Sequence, residues 1–144
     1  MYDYASEGMY FITICTSGMK CILGQIETVQ DLPIPVLSEQ GAVVEKAILM
    51  IPRHYSGISV ENYVVMPNHV HLMLDFHAAG GRMVSAPTVV GSLKRYVSRQ
   101  LGVSIWQKGY YDHVIRNETD YMYHMQYIDE NPKKWAMGKD EYYS

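Results

Sequence analysis

YVVMPNHVHLML, residues 63 to 74, places two histidines two positions apart in a run that is otherwise almost wholly apolar. Successive side chains of an extended chain point to opposite faces, so His69, His71 and Met73 share one side of a strand and Val70, Leu72 and Leu74 the other. One face can close a core while the other presents two imidazoles. Burying both rings as neutral groups requires partners for four ring nitrogens, whereas a shared metal ion satisfies two of them directly. The pair alone leaves packing and metal binding both open. Pro67-Asn68 breaks the run just before His69, which predicts strand, tight turn, strand, with the histidines directly after the turn.

Outward from this hairpin the apolar pattern alternates between strands and helices. Residues 9–16, MYFITICT, read as a central strand, and Lys20 to Ile26 as a short strand returning beside it. Residues 27–37, with Pro33 and Pro35, read as a loop. Ser38 is placed to cap a helix over 39 to about 51, in which Val44, Ala47, Ile48 and Ile51 recur at helical spacing. Asp75 to Pro87 reads as a loop and residues 88–101 as a second amphipathic helix ended by Gly102, with a short strand near Asp112 to Arg116. Asn117 caps a third helix over 118–130, which Pro132 is expected to stop near Asn131, and the remaining tail is expected to fray after Trp135. The order βαββαβα predicts an α+β, ferredoxin-like sandwich whose late helix is free to cross the open side of the sheet toward His69 and His71.

The composition fits one globular domain over 1–144, with 48% apolar and 19% charged residues. No run approaches the roughly eighteen apolar residues of a membrane span, no secretory signal is evident, and two cysteines without a CxxC spacing suit a reducing compartment, so the cytoplasm is the expected location. The net charge of −3 is uneven: residues 82–116 carry six basic groups against Asp112 alone. Lys94, Arg95 and Arg99 on the second helix are suited to phosphates, and Trp106, Tyr110 and Tyr111 beside them to base stacking.

The third helix supplies the remaining chemistry. His124, Tyr127 and Asn131 follow at i, i+3 and i+7, so one face carries all three. Two imidazoles and the Asn131 amide oxygen suit Mg2+ or Mn2+ and leave positions open for a phosphate oxygen. A tyrosine hydroxyl can attack a phosphodiester whose developing charge is neutralised by such an ion. No Walker loop, GxGxxG fingerprint, GxSxG elbow or carboxylate cluster in metal-binding register competes with this reading.

MPNHVHLML at 66–74 resembles the single-tyrosine HUH transposases, including those associated with repetitive extragenic palindromes, and the likeness extends through YFITICT, GSLKRYVSRQLG, IWQKGYYDHVIRN and YIDENPKKW. The resemblance implies that His69, His71 and Asn131 bind the divalent ion and that Tyr127 is the nucleophile. It further implies cleavage and rejoining of hairpin-bearing single-stranded DNA through a 5′-phosphotyrosine. A monomer and a homodimer exchanging tyrosine helices both occur among such proteins. The alternative is a catalytically inactive protein of the same fold that binds hairpin DNA.

Overall fold

The computed structural model describes residues 8–77 and 84–143. Its elements are β1 (Gly8–Cys15), β2 (Gly24–Val29), β3 (Leu32–Leu37), α1 (Glu39–His54), β4 (Ile58–Val65), β5 (His69–Phe76), α2 (Ala86–Leu101), β6 (Tyr111–Val114) and α3 (Glu118–Ala136). The main sheet runs β4-β5-β1-β6, and β1 pairs antiparallel with both β5 and β6. This is the ferredoxin-like arrangement expected from the order of elements. Among the described residues no helix is long and apolar enough to cross a membrane.

Alternation along β5 divides the molecule. Val70, Leu72 and Leu74 pack with Val44, Ile48 and Ile51 of α1 and Val90, Leu93 and Val97 of α2 in the larger core. Met73, on the opposite face, joins Phe11, Val64, Met66 and Ile128 in a smaller core beneath α3. The sheet therefore has α1 and α2 on one side and α3 on the other. Asn62 ties α3 down, donating from Nδ2 to Asp129 Oδ1 at 2.9 Å.

Two expectations are corrected here. Residues 24–29 do not return along β1 but pair with β3, the segment expected to be a loop, as a separate two-stranded ribbon. Pro33 and Pro35 are two apart, so both missing N–H groups face the same edge and leave the other edge able to pair. The ribbon turns at Gln30 and Asp31, both with positive φ (51° and 64°), a geometry usually announced by Asn or Gly. The second correction concerns α3, which continues through Pro132 to Ala136. Pro132 is buried, and packing around it offsets the lost backbone hydrogen bond.

Ser38 caps α1 as expected, its Oγ accepting from Gly41 N at 3.1 Å and donating to Ile22 O at 2.6 Å. That contact draws α1 onto the chain entering the ribbon, where a Cβ at Gly41 would sit 1.9 Å from the backbone oxygen of Leu23. Because Leu23 O also accepts from Ser38 N, it has little freedom to retreat. Gly41→Ala is expected to destabilise the fold by about 2–3 kcal/mol despite alanine's better helix propensity. Urea denaturation would show it as a lower midpoint at unchanged slope.

Candidate active site

Pairing across the sheet decides which side chains join the histidines. Thr13 lies opposite His71 and Cys15 opposite His69, while Tyr111 and His113 of β6 lie opposite Thr13 and Phe11. All therefore project from the face covered by α3. His69 and His71 are buried, with ring centroids 4.6 Å apart.

Each imidazole is held from behind. His69 Nδ1 lies 2.7 Å from Asn68 Oδ1, and His71 Nδ1 lies 2.8 Å from Thr13 Oγ1. With the proton of each ring on Nδ1, the Nε2 lone pairs face inward, His69 Nε2 lying 3.2 Å from Asn131 Oδ1 and His71 Nε2 buried without a hydrogen-bond partner among the described residues. Two acceptors facing each other at 3.2 Å, beside a third without a donor, form a set that a cation makes favourable. The residues present thus fit a divalent ion held by His69, His71 and Asn131. Burial lowers the pKa of His69 to about 4, although its contact with Asn131 opposes the shift. Burial lowers His71 well below the ordinary imidazole range, with nearby His69 and His124 adding to the effect. Both rings therefore stay neutral, the form that ligates metals.

The same shifts set acid stability. Between pH 6.5 and about 4 the unfolded chain binds a proton at His69 that the folded chain does not, so stability falls as the pH is lowered through this window. For His69 the loss reaches on the order of 3 kcal/mol by pH 4. Denaturation midpoints measured from pH 7 to pH 4 should fall accordingly, and His69→Gln should flatten the curve.

Tyr127 reaches the histidines from α3 of the same chain, its ring 5.2 Å from that of His71 and 5.9 Å from Phe11. A cavity beside it is lined by Thr13, His71, Tyr111, Tyr123, Tyr127 and Tyr142. The tail does not fray. Gly138, at φ 69°, ends the helix in a left-handed turn, and Lys139 N donates back to Lys134 O at 2.8 Å. The chain then returns over the site: Tyr142 lies 4.3 Å from the His69 ring and 5.8 Å from His71, and its carbonyl accepts from Asn68 Nδ2 at 3.0 Å. Glu141 accepts a hydrogen bond from the Tyr127 hydroxyl. Burial, reinforced by Glu141 and Asp140, raises the phenol pKa above its ordinary value, and burial pushes Tyr142 up to about 12.

The residues expected to meet DNA separate. Tyr111 is exposed and lines the cavity with His71 and Tyr127. Tyr110 packs against the larger core, and Trp106 is buried within it, bridged to Thr16. Lys94 spends its ammonium on Gln107 O at 2.9 Å and Gly109 O at 2.5 Å, bracing the loop before β6. Arg95 and Arg99 are exposed beside a groove between α1 and α2, on the opposite face of the sheet from His69. The tail residues Asp140, Glu141 and Tyr142 were missed by sequence reasoning, and Gly138 was the one local signal that the chain could turn back there.

No family model matches the chain. An uncharacterised protein of Haemophilus influenzae is 30% identical over 163 aligned positions, covering 96% of this chain and 87% of its own length. The REP-associated tyrosine transposase of Escherichia coli K12 is 28% identical over 105 positions, covering 72% of this chain and 61% of its own. A REP-associated tyrosine transposase solved bound to a REP hairpin superposes with a TM-score of 0.70 at 23% identity, over 93% of this chain and 72% of that one. Sequence and fold lead to the same group of proteins: the chain is similar in sequence to a REP-associated tyrosine transposase and shares the fold of another.

Proposed function

We propose that this protein cleaves and rejoins single-stranded DNA next to a hairpin, with Tyr127 as nucleophile and His69, His71 and Asn131 holding a Mg2+ or Mn2+ ion. The observation that carries the reading is the approach of Tyr127 to His71, 5.2 Å between ring centroids, beside a buried nitrogen that has no hydrogen-bond partner among the described residues. When bound, the ion would polarise the scissile phosphate and offset charge developing on its oxygens. The Tyr127 oxygen forms a bond to phosphorus as the bond to the 3′ oxygen breaks. The phenol loses its proton and the leaving oxygen gains one, giving a 5′-phosphotyrosine and a free 3′-hydroxyl. Attack by a 3′-hydroxyl on the phosphotyrosine reverses these changes and rejoins a strand.

Asn68 and Thr13 orient the rings so that both Nε2 atoms point inward, and the apolar surface of Phe11 and Met73 behind them limits water. Tyr111, exposed at the mouth of the cavity, is the side chain we assign to stacking on a base. Arg95 and Arg99 would meet DNA only where it passes to the helical side of the sheet. Their replacement by alanine is therefore expected to leave cleavage of short oligonucleotides unchanged while reducing the salt dependence of binding to longer ones.

The test is a set of hairpin-bearing single strands incubated with the protein and Mn2+ or Mg2+, resolved under denaturing conditions. A covalent protein–DNA adduct that chelator prevents is expected, and its absence across the set overturns the proposal. Since Tyr142 and Glu141 cover the histidines and engage Tyr127, Tyr142→Ala combined with Glu141→Gln is expected to raise the initial rate of adduct formation about tenfold, by increasing the fraction of open sites. An unchanged rate would mean that the tail does not restrict access.

A further inference from the structure

A second group of donor atoms gathers where β6 meets the first turns of α3, apart from the histidines of β5. His113 brings Nε2 to 3.0 and 2.8 Å from the two carboxylate oxygens of Asp120, and His124 brings Nδ1 to 3.0 Å from Asp120 Oδ1 and 2.9 Å from the Asp120 backbone carbonyl, a contact that metal binding would exchange. One donor atom from each of the three lies within 4.8 Å of the others. The imidazoles are stacked, 4.6 Å apart at 20°, so both approach the carboxylate from related directions. Asp120 is fixed independently: Arg116 N donates to its Oδ2 at 3.0 Å, and its own N donates to the Asn117 cap at 2.8 Å. The three side chains are 30%, 18% and 15% exposed for His113, Asp120 and His124, sheltered yet reachable from solvent.

Two imidazole nitrogens and one carboxylate oxygen suit zinc and its neighbours cobalt and nickel better than magnesium, which favours oxygen and retains water. Metal–donor distances of about 2.0–2.1 Å in a tetrahedral site put neighbouring donors about 3.3 Å apart. Asp120 Oδ1 lies 3.0 Å from each of the two ring nitrogens, and those two separations reach that value with shifts of a few tenths of an ångström.

We propose that His113, Asp120 and His124 form a second divalent-metal site, selective for zinc-like ions, that clamps the N-terminal turns of α3 to the edge strand β6. Among the described residues the set has three members, which leaves a fourth position for water. Its position gives it a consequence for the cleft. His124 precedes Tyr127 by one helical turn, and its ring lies 4.7 Å from Phe11, which in turn stacks 5.1 Å from His71. His124 also lines the cavity shared by His71 and Tyr127, so an ion at this place would fix, from the wall of that cavity, the helix from which the tyrosine projects.

The test uses the full chain carrying His69→Ala and His71→Ala, so that binding at the first site cannot contribute. Titration with Co2+, followed by its visible absorption, and displacement by Zn2+ should show one equivalent bound. Adding His113→Ala or Asp120→Asn should weaken that binding at least about 100-fold. In parallel, the chain with His69 and His71 intact should bind one fewer equivalent of Zn2+ once His113→Ala is introduced, an arm that stands if the double variant does not fold. No Co2+ or Zn2+ binding at millimolar concentration, or binding indifferent to His113→Ala and Asp120→Asn, would overturn the proposal and leave a hydrogen-bonded clamp only. Neither arm depends on DNA cleavage, so failure of the cleavage reading and failure of this site are separable.

Discussion

Tyr127→Phe should abolish the covalent adduct, lowering its formation by at least about a thousandfold, while the protein remains folded and still binds its divalent ion. The ring makes edge contacts with His71 and Phe11, and Lys134 Nζ lies 5.1 Å from its centroid, interactions that phenylalanine largely preserves. The hydroxyl donates to Glu141, a contact at a half-exposed position whose loss costs little stability. Activity and stability should therefore part company in this variant. Adduct yield on a denaturing gel, set beside the thermal midpoint and a Mn2+ titration of the same preparation, measures all three. Retention of adduct would place the nucleophile elsewhere, with Tyr123, one turn earlier on α3 and lining the same cavity, the first residue to examine.

His71→Ala should have the next largest effect. It removes the buried Nε2 atom that has no hydrogen-bond partner among the described residues, and we expect Mn2+ affinity and adduct formation each to fall at least about 100-fold. The cost in stability should be smaller than for a typical core truncation, about 1–2 kcal/mol, because the cavity penalty is partly offset by removal of a polar ring that burial disfavours. Isothermal titration with Mn2+ and a denaturant melt separate the two effects. Metal affinity unchanged by the substitution would mean that the ion sits away from these imidazoles.

The central part of this structure was readable because strand periodicity is short and unambiguous. Two histidines at i and i+2 must share a face, and apolar residues between them must take the other, whatever surrounds the strand. The helix bearing Tyr127 and Asn131 was readable for the analogous reason at helical spacing. What periodicity could not supply was the side of the sheet on which each helix lies. Arg95 and Arg99 were correctly placed together on α2, but α2 packs on Val70, Leu72 and Leu74, so they lie across the sheet from His69. Trp106 has the ring of a stacking residue, and only tertiary contacts reveal that the core has taken it.

The two misread segments share a different cause. Pro33 and Pro35 suggest a loop when counted as residues, yet their alternation leaves one strand edge whole, and Gln30-Asp31 adopts a hairpin geometry its residue types do not advertise. Pro132 suggests a helix end, but α3 outlasts it because the surrounding side chains are packed and the chain beyond turns back. Local rules priced the lost backbone hydrogen bonds and had no means of weighing the burial that offset them.

The alternation along β5 also limits how the protein can change. Inserting or deleting one residue between Pro67 and His69 would exchange the two sides of the strand, delivering imidazoles to α1 and α2 and leucines to the face beneath α3. A chain carrying such an indel would lose the folded state and the pairing of its two imidazoles together, so the length of that turn is constrained as tightly as any single side chain.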